Sequence, residues 1–340
     1  MINKRFFAVI GIIALALVSG GASAIAQDAS ATQTESFTIQ VEEKVIPVGD
    51  FSAISVSNDF EINLDGGDCG VRLSVDNALA PYVQVYVRAK TLYIAYDEKS
   101  VPKEIKKLYK GRGTPEPTFR AVVTLPSISA LTASNSSIIN SVGDFTGDAV
   151  QISLSDKAQI KNLSLQCVTT TVALAKNAQA VMNINASERI EINSEGGSSI
   201  NLNATCSDLV INGSGNSAIT VRSDAKNVAL TGAGSVKISA SVNATNVSVV
   251  SQNSKDVIIK GQAEELDVKL DKFAELDTEG LTVGNLSAVL AGSSKFNASA
   301  TNNIEADIVG NSTMIFSGTP VCKISRVVKS TLAPKGAPLK

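Results

Sequence analysis

From about residue 134 onward, the apolar positions of the chain recur about every 20 residues, the spacing of a repeat architecture. One column, Ile152, Val172, Ile192, Ile211, Leu230, Val249, Val268 and Ala288, advances in steps of 20, 20, 19, 19, 19, 19 and 20. A second column, Asn177, Gly197, Asn216, Ser235, Ser254, Phe273, Ser293 and Asn311, keeps nearly the same spacing and marks turns. Two columns sharing one spacing define an internal repeat. Within a period, Ile200, Leu202 and Ala204 alternate with Asn201 and Asn203. Cys206-Ser207-Asp208 interrupts, and Leu209 and Ile211 then alternate with Val210 and Asn212. Strict alternation puts one side chain in and the next out, which is a strand. Gly196-Gly197, Gly215-Asn216, Gly234-Ser235 and Gly310-Asn311 supply residues that accept positive φ where the chain turns.

Each period predicts one rung made of two strands of about five to seven residues. A single rung cannot bury its own apolar face, whereas stacked rungs bury a continuous core. The fold class expected is all-β: a single-stranded parallel β-solenoid of about ten rungs, right-handed in expectation. A leucine-rich repeat needs a leucine-dense consensus, and a propeller blade needs about forty residues; neither fits. The small inward residues Ala186, Ala204, Ala240 and Ala298 imply a thin, flat core.

Residues 37–133 read differently. Phe51, Ile54 and Val56, then Phe60, Ile62 and Leu64, then Val71, Leu73 and Val75 mark consecutive strands. Val83, Val85 and Val87, followed by Leu92, Ile94 and Ala95, continue the run. This segment is expected to cap the solenoid, because an uncovered terminal rung exposes sheet edges. The repeats proper are expected over 134–332. A leader at 27–36 and a tail at 333–340 are expected to be disordered.

Positions 1–26 have the order of a secretory signal: Lys4 and Arg5, an uncharged apolar run from Phe6 to Val18, then small residues up to Ala24 and Ala26. Export to the periplasm or cell surface is the expected localisation. Lys4 and Arg5 leave with the signal, so 30 basic residues become 28 against 32 acidic, a net of −4. That balance gives no footprint for nucleic acid or an anionic membrane. No later apolar stretch approaches the length of a transmembrane helix. The basic cluster Lys103, Lys106, Lys107, Lys110 and Arg112 reads as a solvated insertion.

The pattern resembles the family of exported bacterial proteins known as putative auto-transporter adhesin, head GIN domain. The resemblance is carried by Phe51–Asp65, by the hairpin ending Lys90-Thr-Leu-Tyr-Ile-Ala95, and by Asp307–Val321; it extends over roughly residues 45–332. It implies an exported β-solenoid with an adhesive role and brings no catalytic residues.

Candidate chemistry is sparse. The chain has no His, which removes Ser–His and Cys–His nucleophiles and every His-containing metal site. No cofactor is expected. Asp59, Asp65 and Asp68 around Gly66-Gly67 offer oxygens for calcium, but their spacing matches no calcium loop, and a tight turn accounts for the glycines. Glu264, Glu265, Asp267, Asp271, Glu275, Asp277 and Glu279 form the one acidic concentration. Clustered carboxylates are what a polysaccharide lyase or hydrolase on a β-helix needs, and this is the alternative function. Tyr82, Tyr86, Tyr93 and Tyr96 are the candidate contact surface, an aromatic platform for protein or glycan, weighed against ordinary cross-strand packing. The leading expectation is a non-catalytic solenoid that presents a polar surface to a protein or glycan partner.

The four cysteines are expected as free thiols. Cys167 and Cys206 lie two periods apart, with Ala186 in the rung between them. At about 9–10 Å between their Cα atoms, such a pair cannot close a disulfide.

Overall fold

The apolar column is a physical stack in the computed structural model, which describes residues 38–337. Val172 pairs with Ile152 on one side and Ile192 on the other, and the register runs on through Ile211, Leu230, Val249, Val268 and Ala288. All of these are buried. The pairing is parallel, and the chain is a parallel β-solenoid of about 11 turns. The signal expected at 1–26 and the leader expected at 27–36 lie outside the described residues.

Parallel stacking begins well before residue 134. The N-terminal strands are β1 (Val41–Ile46), β2 (Ala53–Val56), β3 (Glu61–Gly66), β4 (Gly70–Asp76), β5 (Val83–Arg88), β6 (Thr91–Tyr96), β7 (Phe119–Leu125) and β8 (Ala130–Ala133). β2 pairs in parallel with β6 on one side and β8 on the other. β3 pairs in parallel with β7 and with the start of β9 (Ile138–Leu154). The spatial order of rungs is therefore not the order of the chain: β6–β7 lies outermost, then β2–β3, then β8–β9. Beyond the outermost rung the pairing turns antiparallel, with β4 on β7, β1 on β4 and β5 on β6. Val83, Val85 and Val87 pack against the end of the core, as do Ile105 and Tyr109 from around the short helix α1 (Lys103–Leu108). Lys103, Lys106 and Lys107 of the basic cluster lie on this helix.

The central rungs correct one expectation. β9, β10 (Gln159–Leu174), β11 (Gln179–Ser194), β12 (Ser199–Ser214), β13 (Ala218–Ala233), β14 (Lys237–Gln252) and β15 (Asp256–Asp271) are each one continuous strand of 16 or 17 residues. The cause lies at mid-strand, where small side chains line up: Gly147, Cys167 and Ala186 in one run, Cys206 over Ala225, Ala244 over Ala263. A small residue there lets the chain bend between the two faces while the strand ladder continues on either side. All four cysteines are unpaired, and Cys322 is exposed.

Further on, the rungs divide. β16 (Glu275–Asp277), β18 (Lys295–Ser299), β20 (Thr313–Ser317) and β22 (Thr331–Pro334) stack on one face. β17 (Leu281–Leu290), β19 (Asn303–Val309) and β21 (Val321–Val328) stack on the other. Residues 333 and 334, assigned to the tail from sequence, lie in β22. The face carrying the Ile152 column is called the first face. The second face has its own column through Ile139, Ile160, Ile200, Ile238, Val257, Leu276, Phe296 and Met314.

The corner leading from first face to second is built from left-handed turns. Asn58-Asp59, Asn135-Ser136, Asp156-Lys157, Lys176-Asn177 and Gly196-Gly197 each hold positive φ at both residues, as a type I′ turn requires. Ala158, Ala178 and Ser198 each donate their N–H to the carbonyl three residues back, at 3.0–3.2 Å. The position after each turn is inward: Phe60 after the first, and the small Ser137, Ala158, Ala178 and Ser198 after the others. At Ser137, Ser198, Ser217 and Ser312 the buried hydroxyl donates to the turn carbonyl at 2.7–2.9 Å. The hydroxyl is satisfied locally, so its burial carries no unpaired-group penalty.

Candidate functional site

The four candidate tyrosines do not form one platform. On the β5–β6 hairpin, Tyr86 and Tyr93 are cross-strand partners whose rings stack at 5.1 Å and 15° on the outer surface. Tyr86 is 47% exposed. Tyr96, three residues after Tyr93, falls on the opposite side of the pleat: it is 8% exposed and packs on Phe119 at 4.4 Å. Tyr82 is half-buried against the core. The fifth, Tyr109, turns inward; burial and then the charge of Asp76 push its phenol well above the ordinary value. Odd spacing within a strand decides this division.

At the end of β6, the first turns of the corner column, Tyr96 and the segment Asp97–Lys99 enclose a polar groove of about 730 Å³. Asn58, Asp59, Glu98, Lys99, Asp156 and Lys176 contribute to its lining. Neighbouring turns are tied together, with Asn135 Nδ2 donating to Asn58 Oδ1 at 2.8 Å and Lys176 Nζ 3.2 Å from Asp156 Oδ1. Asp97 accepts from the Lys99 N–H at 3.1 Å and the Ser100 hydroxyl at 2.6 Å, and these bonds hold its carboxylate below the usual range, the Ser100 hydroxyl most of all. Asp59 moves the other way: partial burial, then Glu98, raises its pKa.

The Asp59 shift yields a signed expectation. A carboxyl whose folded pKa is raised favours folding while protonated, and that contribution is lost as pH rises through the folded value. Asn keeps a side chain suited to the left-handed φ of 61° and removes the charge. Asp59→Asn is therefore expected to raise the thermal midpoint at pH 7 and to leave it nearly unchanged at pH 3. Equal gains at both pH values would contradict this account.

The outer surfaces are stitched by polar ladders that run from rung to rung. Asn227 Nδ2 donates to Asp208 Oδ1 at 2.6 Å, and Asn246 Nδ2 donates to Asn227 Oδ1 at 2.8 Å. Asn203 donates to Asn183, Asn212 to Asn193, and Gln262 to Asn243, at 2.7–2.9 Å. The acidic concentration joins in: Glu265 accepts from Asn285 at 2.7 Å, Glu275 pairs with Lys295 at 3.1 Å, and Glu279 pairs with Lys335 at 2.7 Å. Glu265 and Asp267 sit on the first-face half of β15, whereas Glu275 and Asp277 are on the second face in β16. The acidic run is thus divided between the faces. Among the described residues, no group of three or more Cys, Asp or Glu is placed to hold a metal ion. The ladders were a missed signal: Asp208, Asn227 and Asn246 recur on the period of the apolar columns.

These features define a parallel β-solenoid repeat protein with a hydrogen-bonded polar exterior. The family described as putative auto-transporter adhesin, head GIN domain, matches residues 50–223 and 204–320, and the chain belongs to this family. No curated protein matches the chain. Among solved structures, it is similar to a putative adhesin from Parabacteroides merdae ATCC 43184, at 16% identity over 87% of this chain and 96% of that one, with a TM-score of 0.32. It is also similar to a putative adhesin from Parabacteroides distasonis ATCC 8503, at 20% identity over 87% and 97%, TM-score 0.34. A third similar structure, from the same strain, is described as a putative lipid binding protein: 15% identity over 86% and 96%, TM-score 0.33. Among the described residues, no helix is long and apolar enough to cross a membrane.

Proposed function

We propose that the chain is an exported, non-catalytic binding solenoid that presents its polar exterior to a protein or glycan at or beyond the cell envelope. Tyr86 and Tyr93 are its first aromatic contact. The observation that carries this reading is the stacked, outward-facing tyrosine pair of the β5–β6 hairpin. Aromatic faces and rigid amide and carboxylate groups together suit sugar rings and polar protein surfaces. Ladder bonds hold donors and acceptors in place before any partner arrives, which lowers the ordering cost of binding. The family's adhesin description agrees with this role.

An array of glycans and cell-surface proteins, probed with the mature protein, tests it. Tyr86→Ala and Tyr93→Ala are each expected to weaken the strongest interaction about tenfold, ~1.4 kcal/mol. Full binding by the double variant would sink the tyrosine assignment. Release of new chain ends from an arrayed polysaccharide would favour the enzyme reading instead.

A further inference from the structure

The two ends of the solenoid are finished differently. At the N-terminal end, the second-face column Ile62–Ala121–Leu73 is followed by Lys44 of β1, opposite Leu73 in the register. Glu42 stands opposite Val75 in the same way. An edge strand whose core-side positions carry charge resists further pairing. The adjoining part of that end is covered by β5, Ile105 and Tyr109.

At the C-terminal end nothing equivalent is present among the described residues. β21 pairs with β19 and leaves its other edge without a strand. Its core-side positions are Cys322, Ile324 and Val327, opposite Ile304, Ala306 and Ile308. Ala306 is 1% exposed, while Ile324 and Val327, one rung further on, are 43% and 40% exposed. The apolar column thus ends open, beside a row of unpaired backbone groups.

Charge states what fits there. Lys323 pairs with Glu305 of the rung below at 3.0 Å, and Arg326 with Asp307 at 2.8 Å. The charges of residues 318–337 are Lys323, Arg326, Lys329 and Lys335, all basic. A second copy docking through the same edge would bring basic rows together. A strand with acidic outward residues would instead continue the alternation of Glu305 and Lys323, and of Asp307 and Arg326.

We infer that β21 is a docking edge for an extended segment of a partner protein in which apolar residues alternate with acidic ones. The segment adds as the next strand of the first face: its apolar residues cover Cys322, Ile324 and Val327, and its acidic residues meet Lys323 and Arg326. This is strand addition, in which the backbone gives affinity and alternate side chains give specificity. The site lies at the opposite end from Tyr86 and Tyr93 and does not depend on their role.

The test uses the mature protein and a labelled, end-blocked decapeptide alternating valine and glutamate, with a valine–lysine decapeptide as control. Fluorescence anisotropy is expected to show binding of the glutamate peptide at least tenfold tighter than the lysine peptide. Hydrogen exchange should slow at residues 321–328. Lys323→Glu combined with Arg326→Glu should reverse the preference, and Ile324→Glu should abolish binding, with circular dichroism melts showing that both variants remain folded at the assay temperature. Binding that survives Tyr86→Ala and Tyr93→Ala keeps the two sites apart. Equal binding of both peptides, no binding of either, or self-association through residues 321–328 in light scattering would overturn the proposal.

Discussion

Ile211→Asp is expected to leave no cooperatively folded protein at 25 °C. Ile211 is 0% exposed and lies in register between Ile192 and Leu230. Losing a buried Ile side chain alone costs ~2–5 kcal/mol. The carboxylate that replaces it finds apolar neighbours above and below, and an unpaired buried charge adds several kcal/mol more. Together these approach the ~5–15 kcal/mol that a domain has in total. The neighbouring Asn212→Asp supplies the control. Asn212 points outward and donates one ladder bond to Asn193 at 2.9 Å, so its loss is expected to cost ~1 kcal/mol. Circular dichroism melts of the two variants check the register: a wild-type melt for Ile211→Asp would mean that the inward and outward sets are exchanged.

The second large effect is expected at a glycine. Gly261 holds φ at +114° where β15 bends, and a Cβ there would stand 1.9 Å from the carbonyl oxygen of Val242 in the rung below. Neither atom can swing aside, because both belong to backbone in the parallel ladder. Gly261→Ala therefore combines left-handed strain of ~1–3 kcal/mol with a backbone clash that displaces one rung from the next. A loss of ~3 kcal/mol or more in urea unfolding is expected. Gly234→Ala is the matched comparison: its φ is +77°, but the nearest atom to a Cβ is 3.6 Å away. Strain alone, ~1–2 kcal/mol, is expected there. Similar losses in both variants would show that conformation, not rung spacing, governs Gly261.

How much of this was legible in the sequence follows from distance along the chain. The Ile152–Ala288 column could be read because partners on the parallel ladder lie one period apart in the chain, and a fixed period survives substitution of any one member. Ile54 and Leu131 are partners of the same kind, yet most of the N-terminal segment, β3 to β7, lies between them. No period links them, so the β2–β3 rung read as part of a separate N-terminal segment. The corner bends were hidden for another reason. Cys167, Ala186 and Ala225 allow a strand to continue around a corner because they are small, and small residues also mark turns. At the tyrosines, composition placed all five in one region, but only parity within β6 separates the outward Tyr93 from the inward Tyr96. The open end at β21 left no trace in the pattern, since Cys322, Ile324 and Val327 alternate as any inward set does. It is the missing neighbour, a property of the stack, that makes them different.

The interleaved N-terminal rungs also decide where this architecture can change size. Between β10 and β15 each strand offers its neighbours the same two edges, and successive partners follow one another in the chain. One whole period can be gained or lost there while every remaining rung keeps an equivalent partner. The rung formed by β2 and β3 has no such freedom, because it is clasped between β6–β7 and β8–β9, which come later in the chain. The middle of the molecule is thus its adjustable spacer, a ruler graduated in whole rungs, and the N-terminal end is a clasp of fixed length.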